Sequence, residues 1–170
     1  QRSDADRLFC SIDFADQLID NNHINSDTLL TLMTNEQESF PEWIPLHVVE
    51  ILSFTRSLII AKGIAPALDQ KASNLFTDNK KRQQTRSPRE YVALTSKEGA
   101  LHGEVGLLLF AEGIGIKAKD FLIEANRLGN LTDNLLDLDE DKESGEILIS
   151  ICFELKIRLR LAILRSVFKL

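Results

Sequence analysis

The sequence predicts an all-α protein. Apolar residues recur three and four positions apart through long stretches, which is the periodicity of amphipathic helices. Only four prolines and eight glycines interrupt the 170 residues. Runs of Val, Thr and aromatic residues bounded by hairpin turns, which would indicate a sheet, do not occur in the sequence.

Polar caps, prolines and glycines divide this pattern into helices within a single domain of residues 1–170. Ser87 and Pro88 give the strongest start signal, an N-cap serine followed by proline at the first helical position. Gly63 and Pro66 are expected to kink or split the third helix. The predicted helices span about 3–21, a short segment from Ser26, 46–61 with a continuation to 76, 87–111, 117–145 and 146–170.

Two segments depart from the clear helical pattern. Residues 77–87 are polar and basic, and we predict that they form a loop. Between Phe153 and Leu161 apolar and charged residues alternate, which a strand would also satisfy. We assign this last segment to a helix because the sequence offers no partner strand.

Composition excludes several function classes. The 26 acidic and 20 basic residues give a net charge of -6, which argues against general binding of nucleic acid, because that requires a basic surface. No apolar run approaches the roughly 18 residues of a membrane-spanning helix. Cys10 and Cys152 lie among apolar residues, so we expect buried, reduced thiols. These features predict a soluble protein of the cytoplasm or of an organelle stroma or matrix.

Carboxylates are the residues most suggestive of chemistry. Asp133, Asp137 and Asp141 follow one another at four-residue spacing, so they stack on one helical face. Like charges at this spacing repel each other, and a cation would offset the repulsion. A solvated polar face is the alternative interpretation.

A second pair of carboxylates lies in the first predicted helix. Asp16 falls within the apolar stripe of that helix, and Asp20 lies at its edge. A carboxylate in such a place is costly unless it is paired or binds a metal. An internal ion pair with Arg56 or Arg127 is one explanation. A Mg²⁺ ion shared with the second acidic helix is the other, since Mg²⁺ prefers oxygen ligands.

Three segments, in this order and at these separations, resemble squalene and phytoene synthases of the class I isoprenoid synthase superfamily. Residues 16–20 read Asp-x-x-x-Asp, residues 103–108 form a helical segment containing two glycines, and residues 126–145 resemble the second aspartate-rich motif. The resemblance covers about residues 13–150. It implies an antiparallel helix bundle around a central cavity, in a chain shorter than the members of that family.

The resemblance also implies an activity, the ionisation of a prenyl diphosphate followed by condensation or cyclisation. Asp16, Asp20, Asp133, Asp137 and Asp141 would hold Mg²⁺, which stabilises the departing diphosphate. Of these, the residues assigned to catalysis are Asp16, Asp20, Asp137 and Asp141. The residues assigned to substrate binding are Lys80, Arg82, Arg86, Arg89, Gly103, Gly106 and Arg127.

Two of these assignments have alternatives. The basic residues of the segment 77–87 are either diphosphate contacts on a lid or cations of a solvated loop. Gly103 and Gly106, like Gly99 in the same predicted helix, indicate either close helix packing or room for a ligand, because glycine lowers helix propensity.

The second functional hypothesis is a non-catalytic helical interaction module or an inactive homologue. The final segment combines a broad apolar surface with cations and would fit a partner helix or an anionic membrane surface. These cations are Lys156, Arg158, Arg160, Arg165 and Lys169. An enzyme requires Asp16 and Asp137 across one cavity, whereas an interaction module leaves them on unrelated faces.

Overall fold

The computed structural model describes residues 10, 14–15, 17–19, 23–110 and 113–170. Within these ranges every regular element is a helix and no strand is present, which confirms the all-α prediction. The chain divides into two compact units, residues 1–70 and 71–170, and each is described by itself. The helices are α1 (Ser26–Thr34), α2 (Leu46–Ala61), α3 (Ala65–Gln84), α4 (Pro88–Phe110), α5 (Ile116–Leu136), α6 (Leu138–Ser144) and α7 (Phe153–Val167).

In the first unit, α1 packs against α2. The side chain of Asn25 caps α1 by accepting a 2.8 Å hydrogen bond from the backbone N–H of Thr28. Leu32 and Leu52 are buried in this unit. The predicted helix 3–21 lies largely outside the described residues, and the described positions within 14–19 are helical.

Arg56 of α2 fixes the connection between α1 and α2. Its Nη1 donates to the backbone carbonyls of Leu32 at 3.3 Å and Glu38 at 2.7 Å. Its guanidinium also lies 4.6 Å from the centre of the Phe40 ring. The candidate ion pair between Arg56 and Asp16 lies outside the described residues.

A glycine turn separates α2 from α3. Gly63 has φ of 64°, a left-handed conformation in which a side chain would be strained. The prediction that the third helix splits here is therefore confirmed, and α3 begins at Ala65.

The predicted loop at residues 77–87 is wrong for most of its length, because α3 continues to Gln84. Lys, Arg and Gln are good helix formers, and a polar helix is stable when its side chains find partners. Three ion pairs, at offsets of seven and four residues along α3, connect it to α4. These pairs are Lys71 with Glu104, Asp78 with Lys97 at 2.7 Å, and Arg82 with Glu98 at 2.9 Å.

Helices α4 and α5 form a closely packed antiparallel pair. A Cβ atom added at Gly99 would lie 2.6 Å from the Cα of Arg127, and one added at Gly103 would lie 2.8 Å from the Cα of Ile123. Gly103 therefore provides close packing, the first of the two interpretations, rather than room for a ligand. Gly106 has nothing within 4 Å of an added Cβ.

The predicted helix 117–145 is broken at Asp137. Helix α5 ends at Leu136, and α6 runs from Leu138 to Ser144. Leu138 at the start of α6 is fully buried, so the break lets this side chain reach the core. Gly145 ends α6 with φ of 80°, as the sequence predicted.

The predicted helix 146–170 is correct for α7 but wrong for residues 146–152. That segment instead crosses the end of α3, where the backbone N–H of Leu148 donates to the carbonyl of Gln83 at 2.9 Å. Ile147 and Ile149 are buried on either side of this bond. Cys152 precedes α7 and is exposed, contrary to the expectation of a buried thiol.

The core of the second unit lies where α4, α5, α6, α7 and the segment 146–152 meet. α7 packs against both α4 and α5. The buried residues of this core are Tyr91, Leu131, Leu138, Ile147, Ile149, Leu155 and Leu159.

Among the described residues, no helix combines the length and the apolar character that crossing a membrane requires.

The packing at Gly99 predicts a large cost for one methyl group. Gly99→Ala should lower the free energy of unfolding by about 2 kcal/mol or more, because the new Cβ meets backbone atoms that cannot move aside. Gly106→Ala, in the same helix but in open space, should be neutral or stabilising by up to about 1 kcal/mol. Urea unfolding of both variants measures the difference, and equal stabilities would contradict the close α4–α5 packing.

Candidate functional site

A cleft of about 390 Å³ lies in the second unit, between α4, α5 and α7. Five cationic side chains, two serines and four apolar residues line it. They are Arg89, Val92, Ala93, Ser96, Arg127, Arg158, Leu161, Ala162, Arg165, Ser166 and Lys169.

Helical periodicity brings these residues together. The four residues from α4, at positions 89, 92, 93 and 96, lie on one face of that helix. The residues from α7 and its C-terminal end, at 158, 161, 162, 165, 166 and 169, repeat at three and four positions and also share a face. Arg127 is the contribution of α5. The charge in the cleft is therefore assembled from three helices.

Glu124 organises one wall of the cleft. It is buried, and it accepts a hydrogen bond from Arg127 at 2.9 Å and one from the Ser166 hydroxyl at 2.5 Å. Lys169 lies 3.8 Å from the same carboxylate. One acidic group thus fixes lining residues from both α5 and the end of α7.

Positive charge exceeds negative charge at the cleft. Arg158 pairs with Glu154 at 2.7 Å. Within the part of the chain that the structure describes, Arg89 and Arg165 pair with no carboxylate. The Nε–H of Arg127 is buried and has no hydrogen-bond acceptor among the described atoms. A buried donor without an acceptor costs free energy, which an acceptor on a ligand would relieve.

The chemistry of the lining suits an organic anion. Guanidinium groups present paired N–H donors that match the oxygens of a phosphate or carboxylate. Val92 and Leu161 give the cleft an apolar wall beside these donors. The volume lies within the usual range for small-molecule sites.

A buried polar network centred on Arg82 lies on the opposite face of α4. Arg82 donates to both carboxylate oxygens of Glu98, at 2.9 and 3.2 Å, to the Tyr91 hydroxyl at 3.1 Å and to the Asn134 side chain at 2.8 Å. The Tyr91 hydroxyl also donates to Asn134 at 2.9 Å. All four side chains are buried, so this network satisfies polar groups that would otherwise be costly.

Burial has the largest effect on the pKa values of the ionisable side chains in this network. It raises the pKa of Glu98 to about 7, although Arg82 acts in the opposite direction. Burial also raises the pKa of Tyr91. For Arg82, burial disfavours the charged form and is the largest single effect, but Glu98, Tyr91 and Glu146 together outweigh it, so the pKa is raised.

Asp141 lies beside this network, in the same acidic stretch of sequence as Asp133 and Asp137. Asp133 and Asp137 are exposed, and Asp141 is partly buried. Burial raises the pKa of Asp141, and the carboxylates of Glu146 and Asp137 raise it further, while Arg82 lowers it.

Only part of the predicted metal site lies within the described residues. Among the described residues no group of three or more His, Cys, Asp or Glu side chains is arranged to hold a metal ion. Asp16 and Asp20 lie outside the described residues. The Mg²⁺ site therefore stays a prediction, and no chemical step is assigned to it.

The residues predicted to bind substrate are divided among several places. Arg89 and Arg127 meet in the cleft, whereas Arg82 belongs to the buried network. Lys80 and Arg86 are exposed and do not line the cleft.

Part of the cleft lies on a helix face for which the sequence predicts a different role. The cations of α7 were predicted to accompany a partner or membrane surface, and three of them, Arg158, Arg165 and Lys169, line the cleft. Ser96 and Ser166 gave no signal in the sequence. Glu98 and Tyr91 could have been found, because their spacing of seven residues places two polar groups on one face of a helix.

No family model, curated protein or solved structure matches this chain.

The raised pKa of Glu98 predicts how stability changes with pH. The unfolded carboxyl titrates near 4.5 and the folded one near 7. Glu98 therefore contributes its full stability below about pH 4.5, and this contribution is lost as the pH rises through 7. This difference between the folded and unfolded pKa values corresponds to a change of roughly 3 kcal/mol in the free energy of unfolding.

Glu98→Gln isolates this effect because Gln resembles the protonated carboxyl. Denaturant unfolding at pH 5, 6, 7 and 8 should show the variant gaining stability relative to the wild type as the pH rises. A stability difference that stays constant across this range would contradict the raised pKa, because Glu98 would then be ionised throughout in both the folded and the unfolded state.

Proposed function

We propose that the second unit binds a small organic anion that carries a phosphate or diphosphate group. The observation that carries this proposal is the convergence of five cations from three helices on one cleft. Among the described residues, the carboxylates of Glu124 and Glu154 pair with some of these cations, and the others keep their charge available for a ligand. The protein as a whole is acidic, so this concentration of positive charge is not a consequence of composition. A cleft lined by one sign of charge raises the local concentration of oppositely charged ligands.

The lining residues divide into ligand contacts and supports. Arg89 and Arg165, which are without carboxylate partners among the described residues, would bind the anion directly. Arg127 would add its buried Nε–H. Glu124 positions Arg127 and Ser166 and does not itself contact the ligand.

The apolar wall supports a ligand with a hydrocarbon part. Val92, Leu161 and Ala162 line the cleft beside the cations. A prenyl diphosphate has both an anionic head and a hydrocarbon chain. The cleft thus supports the ligand class that the resemblance implies, with arginines rather than a metal as the contacts for its charge.

A Mg²⁺-dependent synthase acting on a prenyl diphosphate is the second candidate function. One observation favours it: the backbone N–H of Asp141 donates to the carbonyl of Asp137 at 2.8 Å and that of Glu146 donates to the carbonyl of Asp141 at 2.9 Å, so three acidic residues lie close together. The carboxylates of Asp137 and Glu146 accordingly add to the effect of burial, which raises the pKa of Asp141. A divalent cation would relieve their repulsion.

Removing one charge from the cleft should weaken binding. Arg165→Gln and Arg89→Gln should each lower the affinity for a prenyl diphosphate about tenfold, since a charge-assisted hydrogen bond contributes about 1.5 kcal/mol or more. Arg160→Gln is the matched control, because Arg160 is an exposed cation of α7 that does not line the cleft. Isothermal titration calorimetry without Mg²⁺ gives the affinities, and equal losses in all three variants would refute a specific site.

Metal dependence tests the second candidate. Mg²⁺ together with inorganic diphosphate should raise the melting temperature more than either alone, because ligands that bind the native state stabilise it. Asp137→Asn should remove this excess without unfolding the chain. Asp120→Asn, an exposed aspartate elsewhere on α5, should retain it. No excess in the wild-type protein at millimolar concentrations would argue against the metal-dependent function.

A further inference from the structure

Helix α7 carries an apolar stripe on its outer side. The stripe repeats at intervals of four, four, three and four residues, which keeps its members on one side of a helix. Its members are Phe153, Ile157, Leu161, Leu164 and Phe168, of which Phe153 is 80%, Leu161 47%, Leu164 51% and Phe168 86% exposed. Ile157 is partly buried.

The stripe does not pack into the core of the second unit. The same helix buries Leu155 and Leu159 completely in the core. At 100° per residue, these two lie on the opposite side of α7 from Leu164 and Phe168. A contiguous exposed stripe of large apolar side chains marks an interaction surface.

Cations flank the stripe on both sides. Arg165 and Lys169 lie on the side of the cleft. Arg160 lies on the other side, together with Lys156, which pairs with Asp139 at 3.3 Å. Glu154 is the acidic residue of α7, and it pairs with Arg158. The surface is therefore apolar along its centre and positive along its edges.

This pattern of apolar and positively charged residues fits an anionic phospholipid surface. An anionic phospholipid surface accepts apolar side chains at the level of the acyl chains and attracts Lys and Arg at the level of the phosphates. A second copy of α7 would instead bring two sets of cations together, which is unfavourable.

The cleft lies directly beside the stripe. Leu161 belongs to both, because it lines the cleft and is also a member of the stripe. A lipid whose chains lie along the stripe could therefore place its phosphate among the arginines. A partner helix on the stripe would leave the cationic cleft unfilled.

We propose that α7 is a docking surface for anionic membranes, and that the cleft takes the phosphate head group of a membrane lipid. This inference rests on the proposed function for the head-group site and adds the membrane as the place where the ligand is met. The stripe supplies the apolar contact and the cleft supplies selectivity for the anionic head group.

Vesicle flotation with the full chain tests the proposal. The protein should float with vesicles of phosphatidylcholine containing 20% phosphatidic acid, and at least tenfold less with pure phosphatidylcholine. Leu164→Ser combined with Phe168→Ser should reduce flotation at least tenfold. Binding of inorganic diphosphate, measured by calorimetry, should stay unchanged in this double variant, because neither residue lines the cleft. Leu136→Ser, at an exposed leucine outside the stripe, is the control and should float like the wild type.

The outcomes separate this inference from the proposed function. A wild-type protein that binds diphosphate but floats with neither kind of vesicle overturns the membrane inference alone. Equal flotation with both kinds of vesicle, or wild-type flotation of the double variant, also overturns it. Dimerisation that the double variant abolishes, without flotation of the wild type, would assign the stripe to a second copy. Failure of the wild type to bind diphosphate would overturn the proposed function, whatever the vesicles show.

Discussion

The buried guanidinium of Arg82 is the interaction on which the second unit depends. It joins α3 to Glu98 and Tyr91 of α4 and to Asn134 of α5, and it lies 3.8 Å from Glu146 after α6. A buried cation costs several kcal/mol unless each of its donors finds an acceptor. Few arrangements of these elements satisfy that condition, so the network restricts how they can pack.

The network and the cleft share helix α4, and they use its opposite faces. Tyr91 and Glu98 face Arg82, whereas Arg89 and Ser96 face the cleft. Because a helix is rigid over this length, the contacts of Tyr91 and Glu98 with Arg82 also fix where Arg89 and Ser96 lie. Glu124 has the corresponding role between α5 and the end of α7. Two buried carboxylates thus position a cluster of cations that would repel each other if they were free.

Charge is separated within the second unit. The acidic residues around Asp137 and Glu146 lie near Arg82, while the cations of α7 gather at the cleft and along its stripe. A chain with a net charge of -6 therefore presents a local positive site. The net charge argues against general nucleic-acid binding, which stays an expectation, and it says nothing about such a local concentration of positive charge. Selectivity for an anion depends on this local arrangement and not on the overall charge.

By itself the sequence determined the helical class, the break at Gly63 and the end of α6 at Gly145, because periodicity and glycine conformation are local properties. It predicted Arg89 and Arg127 as ligand contacts, which stays a prediction, and the structure places both side chains at one cleft. Tertiary structure alone decided that residues 77–84 are helical, because that polar segment finds its partners on α4. It also decided that Arg82 is buried and that residues 146–152 cross the end of α3. These outcomes depend on side chains far apart in the chain, such as Arg82 and Asn134, whose meeting no local pattern encodes.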